Sequence, residues 1–331
     1  MMKRIVFALL AVVVAAGCKN QKPLLPSVSG KAGEVMVVID KEQWDGVLGE
    51  NLRSILADEY PFLPTVEPRY SVVNVAPGAF GDLFKVHRNI VFMDIRPSAE
   101  PGLTIYRNKW ANTQCVIQLS AASAAQADSL VTADGAKIVA AVEQAERDRV
   151  IGNTLKYENR DLHAVVKSEF GAGPHFPTGY KLKKRTPGFV WIADEKQHSI
   201  QGVFVYSYPA RGTAEDFSME SLVVCRNEML EASVPGMLDG TFMTTGTYMT
   251  PSVNFVRYKG RSFAEMHGLW EVEGDYMGGP FVSHAFYSPD GSKIIVCEAW
   301  VFAPKFDKRQ YLRQVESLLY SFEWDKEENV E

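Results

Sequence analysis

Phe263-Ala264-Glu265-Met266-His267-Gly268-Leu269-Trp270-Glu271-Val272-Glu273 changes character at every step. Ala264, Met266, Gly268, Trp270 and Val272 fall on one side of an extended chain. Phe263, Glu265, His267, Leu269, Glu271 and Glu273 fall on the other. A sustained period of two marks a strand of an antiparallel sheet. The side carrying acids and a histidine reads as the solvated face of that sheet.

Strand signals surround this stretch. Phe189–Ala193 and Ile200–Tyr208 read as a hairpin about Asp194–His198, and Thr241–Met249 and Val253–Tyr258 as further strands. Phe281–Tyr287 and Lys293–Phe302 flank Ser288-Pro289-Asp290-Gly291-Ser292, a hairpin turn by composition. Ala214–Ala232 reads as a helix with Met219, Leu222, Val223, Met229 and Leu230 inward. Asp307 with Gln310 three residues on resembles a capping box, opening a last helix whose stripe is Leu312, Val315, Leu319 and Phe322. Residues 175–325 are therefore expected to form a mainly antiparallel α+β domain with helices on one face.

Upstream, Val35-Met36-Val37-Val38-Ile39 is an unbroken apolar run, the pattern of a central strand buried on both sides. Trp44, Val47, Leu48, Leu52, Ile55 and Leu56 repeat at helical spacing over Gln43–Asp58. Arg69–Val75 and Asn89–Ile95 read as strands, and Leu103–Trp110 with Gln114–Leu119 as a hairpin. Ala121–Val131 reads as one helix, and Asp134 is placed to cap a second running to about Lys156. Residues 32–160 thus form a first α+β domain. Gly171, Gly173, Pro174, Pro177 and Gly179 place the junction at about 157–175. The fold class is α+β with two domains.

The chain opens with a basic head, Met1-Met2-Lys3-Arg4, then the apolar run Ile5–Ala16, then Gly17-Cys18. At about 1.5 Å per residue that run is too short to cross a ~30 Å hydrocarbon core, so residues 1–17 read as a signal peptide. The ending resembles the lipobox of bacterial lipoproteins, with Ala15 where that family prefers leucine. The resemblance implies cleavage before Cys18 and acylation of its sulfur. Two or three acyl chains suffice for stable anchoring. Lys19 stands where an aspartate would resemble an inner-membrane retention signal, so the periplasmic face of the outer membrane is expected. Residues 18–31, with Pro23, Pro26 and Gly30, read as a lipidated tether.

Lysine and arginine number 35 against 40 aspartate and glutamate, a net charge of −5, and the Lys181–Arg185 run is interrupted by Leu182. That balance leaves no electrostatic footprint for nucleic acid. Cys115, Cys225 and Cys297 are too far apart for CxxC chemistry or a zinc set and read as small buried apolar residues.

GxSxG, HExxH, GxxxxGK and a strand-to-helix GxGxxG are all missing from the sequence. Glu265, His267, Glu271, Glu273, Asp275 and His284 include the residue types of a metal or acid–base centre. Along one strand, His267 and Glu271 lie about 13 Å apart and cannot share an ion, whereas Glu265 and His267 at about 7 Å could. The simpler reading is a wet sheet face, so no catalytic residue, metal or cofactor is expected. His87, His163 and His198 read as loop or surface residues, and Gly171–His175 as a flexible junction. The segment Gly274–Pro280 reads as a mobile, glycine-rich loop presenting Tyr276 and Met277 beside Glu271, Glu273 and Asp275. It is the candidate contact surface for a basic or neutral partner.

Gly33-Glu34, Arg88-Asn89-Ile90, Gly268-Leu269-Trp270 and Gly279-Pro280-Phe281 resemble a family of uncharacterised Gram-negative lipoproteins known as a domain of unknown function. Pro177-Thr178-Gly179-Tyr180 and Leu319-Tyr320-Ser321-Phe322 make the second half similar in layout to photosystem accessory lipoproteins and a nuclear-transport accessory factor. The likeness implies a binding or assembly role. The expected function is a non-catalytic, membrane-anchored accessory protein with an envelope protein or glycan as partner. The alternative is an envelope-acting hydrolase with no recognisable motif.

Overall fold

The computed structural model describes residues 24–324. The signal segment, Cys18 and Lys19 lie outside the described residues. The first sheet contains β1 (Glu34–Val38), β2 (Ser71–Val75), β3 (Asn89–Ile95), β4 (Gly102–Arg107) and β5 (Cys115–Ala121), in the order β2-β1-β3-β5-β4. Its pairs are parallel except β4 with β5, the hairpin expected from sequence. β1 is central and doubly buried because its side chains feed two cores. Val35 and Val37 face Leu48, Leu52, Val131 and Ile138, whereas Met36 and Val38 face Ile90 and Val116.

The helix expected over Gln43–Asp58 is split at Gly46 into α1 (Lys41–Asp45) and α2 (Val47–Leu56). After the one-turn α3 (Asp82–Lys85), the two helices expected between Ala121 and Lys156 are one, α4 (Ala124–Lys156). Ser123 caps it, its Oγ accepting from Gln126 N at 3.3 Å, while Asp134 pairs sideways with Lys137. Gly135 inside α4 is a packing residue: a Cβ there would come within 2.8 Å of Ile55 Cδ1 on α2.

The glycine- and proline-rich junction contains a helix, α5 (Arg160–Phe170), closed by Gly171 at φ +78°. The short β6 (Ala172–Gly173) pairs with β15 (Glu323–Trp324). The second sheet is antiparallel throughout. Its strands are β7 (Lys181–Thr186), β8 (Phe189–Lys196), β9 (Ser199–Pro209), β10 (Met243–Thr245), β11 (Ser252–Tyr258), β12 (Arg261–Val272), β13 (Gly278–Tyr287) and β14 (Lys293–Phe302). They run β10-β12-β13-β14-β9-β8-β7, with β11 also on β12. The lysine-rich run Lys181–Arg185 is the edge strand β7, where charge discourages further pairing.

Helices cover both faces of this sheet, not the single face expected. α6 (Met219–Ser233) packs on Phe204, Tyr206, Met266, Phe281 and Trp300. α7 (Arg309–Leu319), with α5, packs on Val203, Val205, Phe263, Val282, Cys297 and Ala299. The wet side assigned to β12 is therefore covered by α7. The α+β class, two domains and the mainly antiparallel second sheet hold.

Two charged contacts organise these layers. Arg226, in the middle of α6, is fully buried against Glu298 on β14. Its Nε and Nη2 reach the carboxylate at 2.9 and 2.8 Å, Nη1 reaches Thr245 Oγ1 at 2.9 Å, and the guanidinium lies over the Phe281 ring at 3.9 Å. The cap of α7 is supplied by the first half. Glu67, not Asp307, accepts from Lys308 N at 2.7 Å and Arg309 N at 2.9 Å. At the other side of the same seam, Arg313 of α7 grips Glu143 of α4 through two bonds of 2.8 and 3.1 Å, and Tyr70 donates to Glu143 at 2.8 Å.

Cys115 and Cys297 are buried and Cys225 half-buried, all as free thiols, and burial pushes Cys297 up to about 12. The expected tether stops short of Lys31. Asn112 N donates to Pro26 O at 2.7 Å, and Ser27 and Ser29 bridge to Asn112 and His87.

Candidate functional site

The segment Gly274–Pro280 is not a mobile loop. Gly278, Gly279 and Pro280 belong to β13 and pair with Glu271, Trp270 and Leu269. Gly279 is needed for closeness: a Cβ there would strike Val301 O at 2.0 Å. What remains is a tight turn, residues 273–277, closed by Val272 N to Met277 O at 2.9 Å and Asp275 N to Val272 O at 3.0 Å, with Gly274 at φ +80°. Tyr276 stands fully in solvent at its tip. Met277 turns inward and packs beside the α6-facing core, so it is a half-buried support.

A second turn lies against the first. Gly236 N donates to Thr241 O at 2.8 Å, and Glu273 N donates to Phe242 O at 2.8 Å, locking the two turns side by side. This neighbour presents Met237, 82% exposed, and Leu238, 59% exposed. Asp239 and Glu273 are exposed beside them, with Asp275 and Glu271 half-buried. The sequence reading found Tyr276 and the acids but not Met237 and Leu238. Those two lie between the helix read to Ala232 and the strand read from Thr241, a stretch given no element, and only the turn between Pro235 and Phe242 brings them out.

The Glu265–His267 face is a closed network, not a wet surface. Glu265 accepts from His267 Nε2 at 3.1 Å, His284 Nε2 at 3.2 Å and Tyr320 Oη at 2.5 Å. A carboxylate only accepts, so both imidazoles carry hydrogen on Nε2. Their buried Nδ1 atoms have no hydrogen-bond partner. Arg147 of α4 lies over the Tyr320 ring at 3.5 Å and approaches Glu316 at 3.8 Å, and Tyr60 donates to Glu316 at 3.3 Å.

The electrostatics follow from this packing. Burial pulls His284 down to about 4, only partly offset by Glu265. Burial also lowers His267, but its bond to Glu265 and the charges of Glu316 and Glu265 together outweigh that and raise it. Burial raises Glu265, and the two imidazoles more than reverse it, holding the carboxyl far below its usual range. Burial together with the Glu265 charge raises Glu316. The arrangement stores fixed charge between the halves and holds its carboxylate in place. Glu271 does not join the cluster.

Two other places collect polar side chains. A cleft of about 770 Å³ runs between the C-terminal part of α4 and the second sheet, lined among others by Arg88, Asn112, Asp148, Arg149, Lys156, Asp194 and Gln314. Among the described residues, Glu158, His163 and His175 form the group of three whose donor atoms converge, all within 4.8 Å of one another. Neither was legible in sequence: the cleft joins segments far apart in the chain, and the trio, though close in sequence, meets only because segment 157–159 is bonded to 176–178. His87, read as surface, is buried, with Nε2 at 2.8 Å from Glu34 and Nδ1 at 3.1 Å from Asn89 O. His198 lies in the β8–β9 turn as expected.

Residues 159–321, which contain the paired turns and the Glu265 network, match the family model of a domain of unknown function, DUF4837. Residues 28–154 match a second, DUF8532. The two matches follow one another along the chain without overlap. DUF8532 spans the parallel sheet and nearly all of α4, DUF4837 the antiparallel sheet and α7, and the unmatched residues between them include Glu158. No curated protein matches the chain. Among the described residues no helix is long and apolar enough to cross a membrane.

Proposed function

We propose that this protein is a non-catalytic accessory lipoprotein, anchored through Cys18 at the periplasmic face of the outer membrane. It captures a neutral or basic protein partner at the paired turns 235–242 and 273–277. The Met1–Cys18 pattern supports the anchor. The observation that carries the binding surface is the solvent-held trio Tyr276, Met237 and Leu238 on two turns bonded to each other. Aromatic residues and methionine are enriched at contact surfaces, and apolar area on a stiff turn loses little entropy when covered. Asp239, Glu273 and Asp275 around it repel acidic partners and draw basic ones.

The test is in-cell photocrosslinking from position 276 of the full chain, with mass spectrometry of the products. A discrete partner adduct that disappears in Met237→Ser/Leu238→Ser, while melting is unchanged, is the expected result. Adducts at 276 that persist in that variant would remove the paired turns as the contact surface. Cys18→Ala should release the chain from membranes. A variant still membrane-bound and labelled by palmitate refutes the anchor independently.

A further inference from the structure

We propose that Glu158, His163 and His175 form a site for one divalent first-row transition ion of the zinc type. The backbone brings the three together. Asn159 N donates to Phe176 O at 2.8 Å and Thr178 N to Tyr157 O at 2.9 Å, clasping segment 157–159 against 176–178. Glu158 and His175 thereby become neighbours, and His163 projects from the first turn of α5. His175 is fixed from a third direction, its N donating to Ser321 Oγ at 2.9 Å. The side chains are sheltered without being sealed, at 13% exposure for Glu158 and 17% for His175.

The hydrogen bonds set the donor atoms. His163 Nδ1 faces Pro174 O at 3.1 Å. A carbonyl only accepts, so Nδ1 carries the hydrogen and Nε2 keeps its lone pair. An imidazole held by a carbonyl through one nitrogen and open at the other is the arrangement that orients histidine ligands. His175 Nδ1 lies 2.5 Å from Glu158 Oε1. An ion would take the place of the hydrogen in that contact.

Distance and orientation say what must move. Tetrahedral ligands at ~2.1 Å from zinc lie about 3.4 Å apart, so a set within 4.8 Å closes by at most about 1.4 Å while the 2.5 Å His175–Glu158 contact opens by about 0.9 Å. The two imidazoles now stack in parallel, centroids 4.3 Å apart and planes 2° from coincidence in direction. In-plane lone pairs of parallel rings cannot meet at one ion. Binding therefore turns His175 out of the stack while Pro174 holds His163. Two imidazoles and one carboxylate suit zinc, cobalt or nickel, whereas magnesium and calcium prefer oxygen alone. Three protein ligands leave a fourth position for water. Such an ion would pin α5 to the segment leading into β7, at the junction of the two halves.

The test uses zinc and cobalt(II) on the full chain in detergent near neutral pH. Zinc titrated against an indicator dye should bind as one ion per chain. Affinity should fall at least tenfold in His163→Gln and in Glu158→Gln, with His198→Gln unchanged. Zinc should also slow proteolysis between Tyr157 and Gly179 in the unaltered chain. Cobalt(II) added to that chain should give the intense visible bands of tetrahedral coordination, a readout that needs no variant to fold. Absence of saturable zinc binding, undiminished affinity in His163→Gln, or no tetrahedral cobalt spectrum each overturns the site.

Discussion

Replacing Arg226 with methionine keeps most of the side-chain volume and removes the charge facing Glu298. Both partners have no solvent exposure, so Glu298 would be left in the core without its two bonds. Breaking a buried pair from one side costs about 3–5 kcal/mol, because the remaining charge is uncompensated. At roughly 2–4 °C per kcal/mol for a large domain, melting should fall by about 6–20 °C. Burial already pushes the Glu298 carboxyl up, with Arg226 as the main opposing influence. Without Arg226 the carboxyl takes up a proton more readily, so the deficit should shrink as pH falls. Urea unfolding of the Arg226→Met chain at mildly acidic and mildly alkaline pH measures both effects. The double variant Arg226→Met/Glu298→Met should recover much of the loss, since two apolar side chains replace an ion pair at little net cost. A loss below about 1 kcal/mol, or a double variant no better than the single, would refute this account of the α6–sheet contact.

The Glu67 cap on α7 should be worth about 0.5–2 kcal/mol, so Glu67→Ala should lower stability by that amount, read by urea unfolding, while Asp307→Ala should not. The Glu265 network predicts stability falling on both sides of about pH 6.5, the ordinary histidine value. His267 is raised in the fold, so its contribution is complete below about pH 6.5 and is lost as pH rises through its folded value. His284 is lowered to about 4, so its contribution is present above about pH 6.5 and declines as pH falls toward 4. Unfolding measured from pH 5 to 9 should show His267→Gln flattening only the alkaline limb; an unchanged limb would remove His267 as its source.

Periodicity made the sheets legible. The alternation over Phe263–Glu273, the run Val35–Ile39 and the turn at Ser288–Ser292 report local backbone states, and β12, β1 and the β13–β14 hairpin follow them. What alternation could not tell was which neighbour covers the polar side of β12, because that depends on α7 returning after many residues. Charges inside apolar rows carried more information than they were given. Arg226 sits four residues from both Leu222 and Leu230, Glu316 falls on the Leu312–Leu319 stripe, and Glu298 stands between Val296 and Trp300. Each is an ionisable group in an apolar row, which signals a buried partner. Glycine misled in the opposite direction. At Gly279 it permits close packing rather than motion, a distinction visible only when the opposing strand is in place.

The attachment of Pro26–Ser29 to the Asn112 and His87 edge has a consequence for encounter rates. Under the proposed anchor at Cys18, the eight residues 19–26 lead from the sulfur to the first docked carbonyl, against thirteen for a tether reaching Lys31. Fully extended, the shorter connection spans about 28 Å instead of roughly 45 Å. Effective concentration between groups confined by a linker falls roughly as the −3/2 power of its length. Shortening from thirteen to eight residues therefore raises the local concentration of the folded body near the bilayer by about twofold. With the chain anchored as proposed, a partner held in the same membrane would meet this body in a shallow layer at the surface rather than in the bulk of the compartment.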